Sequence, residues 1–297
     1  MEKQEFKKLF EEKRLQVEAA IEKYLLAIDT RPAIIHEAMH YSMKVGGKRL
    51  RPILLLAAYD LLPSKLDPMA ACVAIESMHT YSLIHDDLPC MDNSDLRRGQ
   101  PTCHKQFDDA TALLAGDALL TFSLWLLAEE YKHAPAAAVN LVRDLGKFGH
   151  DMIRGQVEDV IGEKSGEKMT HDKLSFIQEN KTAALITSSI TMGICLADSA
   201  SEDTYKLGCE IGYNVGMAFQ IIDDILDATS DSVTLGKTAG LDEIDGKLTS
   251  VHIYGLDGAR AKAAEYSNLA IAACKKLTGK DESFMKELIL HMQNRIY

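Results

Sequence analysis

Proline stops after residue 135, and that absence constrains the fold more than any motif. The chain has seven prolines, Pro32, Pro52, Pro63, Pro68, Pro89, Pro101 and Pro135, in 297 residues. Proline removes a helical hydrogen bond and clashes with the preceding turn. The roughly 160 proline-free residues that follow, with apolar positions at 3.6-residue spacing and few β-branched runs, therefore read as successive helices. Over the whole chain the pattern predicts helices near 2–29, 33–44, 50–62, 67–88, 107–132, 136–162, 171–197, 202–228, 247–254, 258–277 and 282–294, and no strand. Connections such as 162–170 are short and carry no Pro/Gly/Ser linker, so one all-α domain over 1–297 is expected.

Composition narrows the function. An apolar share of 46% and a charged share of 26% are enough for a sizeable core. The net charge of −11 counts against a nucleic-acid surface, although a few local cations can hold a phosphorylated small molecule. Six cysteines, none with zinc spacing, read as free thiols of a reducing cytoplasm. Residues 1–14 are dense in Lys and Glu, without the apolar core of a signal peptide, and runs such as Ile53–Tyr59 and Met69–Ile75 are too short to span a bilayer. No membrane insertion is expected. Few aromatics and frequent Ala, Leu and Gly suit helices packed closely around a shared cavity.

Two acidic clusters carry the chemistry. In His79–Gln100, Asp86, Asp87, Asp92 and Asp95 crowd the end of an apolar helix, where each disfavours the ionisation of its neighbours unless a cation intervenes. The alternating ligands, central Gly and terminal Glu of an EF-hand are missing, so Mg²⁺ fits better than Ca²⁺. Pro89 ends or kinks the helix and lets Asp92 turn back toward Asp86. In the second cluster Gln220, Asp223, Asp224 and Asp227 share one helical face. Two such clusters suggest opposing walls of a diphosphate site, because Mg²⁺ completes its shell with phosphate oxygens and water. Cations for that ligand stand in Gly46-Gly47-Lys48-Arg49-Leu50-Arg51-Pro52 and at Arg97-Arg98. His79 lies on the face of Asp86, roughly 10 Å along the axis, and can donate to a second phosphate. Gly208, Gly212 and Gly216 recur every fourth residue, ahead of Gln220 and Asp224. The row reads first as a close helix contact and otherwise as room for a ligand chain.

In order and separation, GGKRLRP at Gly46, DDLPCMD at Asp86, LRRGQPTCH at Leu96, LLAGDALL at Leu113, GQVED at Gly155, KTAALI at Lys181, FQIIDDILD at Phe219, LGK at Leu235 and GKLT at Gly246 resemble the short-chain trans-isoprenyl diphosphate synthases, most closely the bacterial farnesyl diphosphate synthases. The resemblance implies the isoprenoid-synthase helical bundle, a homodimer, and three Mg²⁺ ions with bound diphosphate. It implies that Asp86, Asp92 and Asp223 coordinate those ions, with Asp87, Asp224 and Asp227 also among the expected metal-binding residues, and that Arg97, Lys181 and Lys237 hold the allylic diphosphate. Lys48, Arg51, His79 and Arg98 would then hold isopentenyl diphosphate, and Thr182 and Gln220 would line the space where the allylic cation forms. Phe219 and Lys247 would add substrate contacts. The reaction implied is ionisation, condensation and elimination.

Two departures stand out: Ala183 where relatives often have Gly, and a single cation, Arg295, in the last four residues. For product length Tyr81 is the candidate floor of the chain tunnel. Ser82 sits more directly beneath Asp86, whereas Tyr81 lies about 140° around an ideal helix, so the resemblance decides for Tyr81 and fifteen carbons. A geranylgeranyl diphosphate synthase is the alternative. A terpene cyclase would not need a second diphosphate site, and a non-catalytic partner subunit would have lost part of an aspartate motif.

Overall fold

A computed structural model describes residues 1–28, 31–165, 170–229, 249–277 and 281–294. Its helices, in chain order, are α1 (Lys3–Leu26), α2 (Ala33–Lys44), α3 (Leu50–Tyr59), α4 (Met69–Asp86), α5 (Cys103–Gln106), α6 (Asp109–Glu130), α7 (Pro135–Ser165), α8 (His171–Ile177), α9 (Ala184–Cys195), α10 (Glu202–Thr229), α11 (Ser250–Cys274) and α12 (Ser283–Gln293). The all-α expectation holds, with three local differences.

The stretch expected as one helix over 171–197 is divided by a π-helical segment, Gln178–Ala183, between α8 and α9. A π turn inserts an extra residue without disturbing apolar periodicity on either side, so spacing could not reveal it. The helices expected at 247–254 and 258–277 join across a kink at Gly255, where φ is 67°; residues 247 and 248 lie outside the described residues. The third difference is a small ribbon. Strand β1 (Leu96–Arg97) pairs antiparallel with β2 (Gln100–Pro101). Its two loop residues, Arg98 and Gly99, both have positive φ, 53° and 76°, as a tight hairpin of the type I′ class requires.

Helix α3 is apolar on all sides, and Ile53–Ala58 are buried without interruption. It packs on α4 and α9, and α10 packs between α9 and α11. The glycine row explains the α9–α10 contact. A Cβ on Gly212 would stand 2.5 Å from Thr187 Cα, and one on Gly216 would stand 2.6 Å from Ala183 Cα. Close helix approach is therefore what the row provides, and Gly216 accommodates the methyl of Ala183. The row continues along the same helix pair into Gln220 and Asp224, which delivers those polar side chains beside the π segment.

One helix bears on the reading of apolar runs. Among the described residues α6 is long and apolar enough to span a bilayer by length and composition, with a mean hydropathy of 1.6 over its best window. Counting unbroken apolar runs missed it, because Asp117 and Thr121 interrupt the pattern. It packs against α4 and α2, while Leu113, Leu114 and Trp125 stay exposed on its outer face.

Candidate active site

The chain doubles back at the end of α4. The helix stops at Asp86, and the Asp92 amide donates to the Asp86 carbonyl at 2.9 Å, which brings the two carboxylates together as Pro89 led us to expect. Burial pushes the Asp86 carboxyl up to about 6. Lys181 and Arg97 pull it down, and Asp92 pushes it further up. A carboxyl that resists ionisation this way, with a second carboxyl beside it, favours a divalent cation, which replaces the proton without leaving charge uncompensated. Among the described residues no three carboxylate, His or Cys side chains come together as a self-sufficient chelate. The donor set therefore suits a hard cation that shares its shell with phosphate oxygens.

The second member of each aspartate pair is occupied elsewhere. Asp87, 2% exposed, receives the Arg97 guanidinium on both oxygens, at 2.7 and 2.6 Å. Asp224, 5% exposed, accepts from Gln220 at 2.9 Å, from Gln178 at 3.2 Å and from the Ser250 amide at 2.8 Å. It thereby pins α10 to the π segment and to the N-terminus of α11, where negative charge is favoured. Asp227 is also buried, whereas Asp223 is half-buried.

The π segment contributes Lys181 and Thr182. Lys181 Nζ donates to Asp159 on α7 at 2.5 Å, and Thr182 Oγ1 donates to Gln220 Oε1 at 2.6 Å. Gly155, one turn before Asp159, makes the first contact possible: a Cβ there would stand 2.2 Å from the Lys181 backbone nitrogen. Asp159 was missed as a site residue, although GQVED places it four residues after that glycine. Phe219 is partly buried against the α3–α9 core.

The cations gather around His79, about two turns back along α4 on the face of Asp86. His79 is half-buried, and burial together with the charges of Arg51, Arg98, Arg97 and Arg49 holds its imidazole well below the usual value, so it is neutral at pH 7 and keeps one N–H to donate. Burial lowers Arg51 to about 10, while Glu76 and Asp223 pull it back up; it stays charged. Its Nε is buried with no hydrogen-bond partner among the described residues, an open donor aimed at no protein acceptor. The Arg98 guanidinium lies over the bare Cα of Gly47, where a Cβ would stand 2.4 Å from Nη1. Arg49 differs from its neighbours. It is 3% exposed and bound to Glu18, Glu76 and the Met43 carbonyl, so it builds the pocket wall. Lys48 is exposed at the rim, and Lys237 and Lys247 lie outside the described residues, as does the terminal Arg295.

Tyr81 is 5% exposed, and its hydroxyl is buried with no hydrogen-bond partner among the described residues. Burial and the Asp86 charge raise the phenol to about 12. Ser82 donates to the His79 carbonyl at 2.8 Å, a bond within its own helix.

Comparison with known proteins decides the family. The polyprenyl synthetase family pattern matches residues 32–288. The chain belongs to the polyprenyl synthetase family. Over 271 residues it is 42% identical to a chloroplastic geranylgeranyl pyrophosphate synthase of Capsicum annuum, covering 89% of this chain and 72% of that one. Over 260 residues it is 40% identical to a farnesyl diphosphate synthase of Geobacillus stearothermophilus, covering 85% and 86%. A geranyltransferase of Helicobacter pylori, solved with magnesium and isoprenyl diphosphate, superposes with a TM-score of 0.81 at 32% identity, over 97% of this chain and 96% of that one. This family member is accordingly a prenyltransferase with the all-α isoprenoid synthase fold.

Proposed function

We propose that this synthase joins isopentenyl diphosphate to dimethylallyl and then geranyl diphosphate, with farnesyl diphosphate as its main product. The observation that carries the reading is the division of charge along α4. Asp86 and Asp92 come together at its C-terminal end, and about two turns earlier the neutral His79 lies among arginines, with an Arg51 Nε that has no hydrogen-bond partner among the described residues. Two anionic ligands need such a division; a terpene cyclase needs only the acidic half.

Asp86, Asp92 and Asp223 would hold Mg²⁺, which when bound neutralises charge on a departing diphosphate. Lys181, fixed by Asp159, and Arg97, fixed by Asp87, direct their charge at the allylic diphosphate. Arg51, Arg98, Lys48 and the His79 N–H hold isopentenyl diphosphate. The Thr182 hydroxyl and the Gln220 carbonyl oxygen present lone pairs to the allylic cation, and Asp224 sets the Gln220 amide. The departing diphosphate itself accepts the final proton.

Identity does not choose the product, because a geranylgeranyl synthase matches at 42% and a farnesyl synthase at 40%. Tyr81 favours fifteen carbons: its large ring sits about one turn below Asp86, with a hydroxyl that has no hydrogen-bond partner among the described residues. Residues 1–297 would act as one cytoplasmic domain, since the six cysteines are free thiols, and pair as a homodimer through the exposed apolar face of α6. Incubating the protein with Mg²⁺, dimethylallyl and isopentenyl diphosphates and sizing the products tests the proposal. A main product of twenty carbons overturns the fifteen-carbon reading, and no condensation overturns the rest.

A further inference from the structure

His85 takes no part in the chemistry above, yet it bridges α4 and α6. Its Nε2 donates to the Leu113 carbonyl of α6 at 2.9 Å and lies 3.8 Å from Asp117. Gly116 leaves the space for it, because a Cβ there would stand 2.2 Å from that nitrogen. One helical turn below, the ring meets Tyr81 edge-on, with centroids 5.6 Å apart and planes at 87°. Among the described residues the Tyr81 hydroxyl has no hydrogen-bond partner, so packing sets the position of the ring, and His85 is its ring partner.

We propose that His85 is a specificity-determining positioning residue, which anchors Tyr81 to α6 and so fixes where the growing prenyl chain stops. The inference rests on the reading of Tyr81 as the tunnel floor. Gly116 and the Leu113 carbonyl form the socket, the imidazole is the peg, and the tyrosine ring leans on the peg. A loosened peg lets the ring swing aside under an elongating chain. The chemistry at Asp86 is left intact.

The test sizes the products made from dimethylallyl and isopentenyl diphosphates by wild type, Tyr81→Ala, His85→Ala, Gly116→Ala and the double variant Tyr81→Ala/His85→Ala. His85→Ala is expected to raise the ratio of twenty- to fifteen-carbon product by about tenfold, equivalent to about 1.4 kcal/mol of discrimination. Gly116→Ala keeps the imidazole but unseats it, and is expected to shift the ratio too. The double variant should match Tyr81→Ala alone, because His85 acts through that ring. Where His85→Ala does not fold, His85→Gln, which keeps a donor for Leu113 but loses the ring, is expected to lengthen the products. A wild-type ratio in the His85 and Gly116 variants, beside longer products from Tyr81→Ala, overturns the role of His85 alone. A wild-type ratio in Tyr81→Ala overturns the floor reading beneath it.

Discussion

Two glycines of α7, Gly155 and Gly146, separate close approach from helix propensity, and their alanine variants are expected to move in opposite directions. At Gly155 the new Cβ would stand 2.2 Å from the Lys181 nitrogen and 2.8 Å from two further backbone atoms. Ordinary contact begins near 3.4 Å, so α7 and the π segment must part by about 1 Å, and backbone atoms cannot swing aside as a flexible side chain does. Overpacking of this kind costs about 1–3 kcal/mol, against which the better helix propensity of alanine returns at most about 1 kcal/mol. The same separation strains the 2.5 Å contact between Lys181 and Asp159, and a misplacement of about 1 Å in a positioning charge lowers turnover by about 10²-fold. At Gly146 nothing lies within 4 Å of the added carbon, so Gly146→Ala should stabilise by about 0.5–1 kcal/mol and leave turnover unchanged. Chemical-denaturation midpoints and steady-state rates on both substrates measure the pair. Equal stability and equal turnover in the two variants would refute the argument that Gly155 exists to admit Lys181.

Arg51→Ala is expected to raise the Michaelis constant for isopentenyl diphosphate by about 10- to 100-fold, with a smaller effect on the allylic substrate, because a lost charged hydrogen bond is worth about 1.5–3 kcal/mol. Equal weakening of both substrates means that the division of cations is wrong. Asp144, fully buried beneath Ser188 and Tyr205, is raised by burial from 3.8 to about 6. The folded state therefore binds more protons than the unfolded state between those values, and the Asp144 contribution to stability falls as pH rises through that window, by up to about 3 kcal/mol. The stability of wild type relative to Asp144→Asn should accordingly grow as pH is lowered from about 7 to about 4. A constant difference across that range counts against it.

The sequence announced the helices and both acidic motifs because each rests on a local rule. Pro89 had to end α4, and the Asp92 amide did return to the Asp86 carbonyl. Partners set by the fold were harder to read. That Lys181 would meet Asp159 depended on a π turn, which leaves no trace in apolar spacing, and on a glycine 26 positions earlier in the chain. That Arg97, expected at a diphosphate, also holds Asp87 was not legible, since which buried carboxylate meets a guanidinium fork is set by the fold. The ribbon at 96–101 escaped detection because two-residue strands carry no alternation, although Gly99 supplied one of the two positive-φ residues of its turn.

The two aspartate pairs follow one geometric rule, and it makes the last prediction. Adjacent helical residues diverge by about 100°, and in each pair one carboxylate is taken up by protein donors. In the first pair Asp87 is given to Arg97, and in the second Asp224 is given to Ser250, Gln178 and Gln220. A mutation of the anchoring member should thus act on the fold, and a mutation of its neighbour on the reaction. Asp224→Asn replaces one accepting oxygen with an NH₂ that faces buried donors, and it removes charge from the N-terminus of α11. Together these changes cost about 2–4 kcal/mol of stability. Excess Mg²⁺ should not rescue the activity lost with it. Asp223→Asn should change stability less and lower turnover by about 10²–10³-fold. Thermal midpoints and Mg²⁺ titrations of turnover distinguish the two. If Asp223→Asn proves the more destabilised protein, or if Mg²⁺ restores Asp224→Asn, the anchoring role belongs to the wrong aspartate.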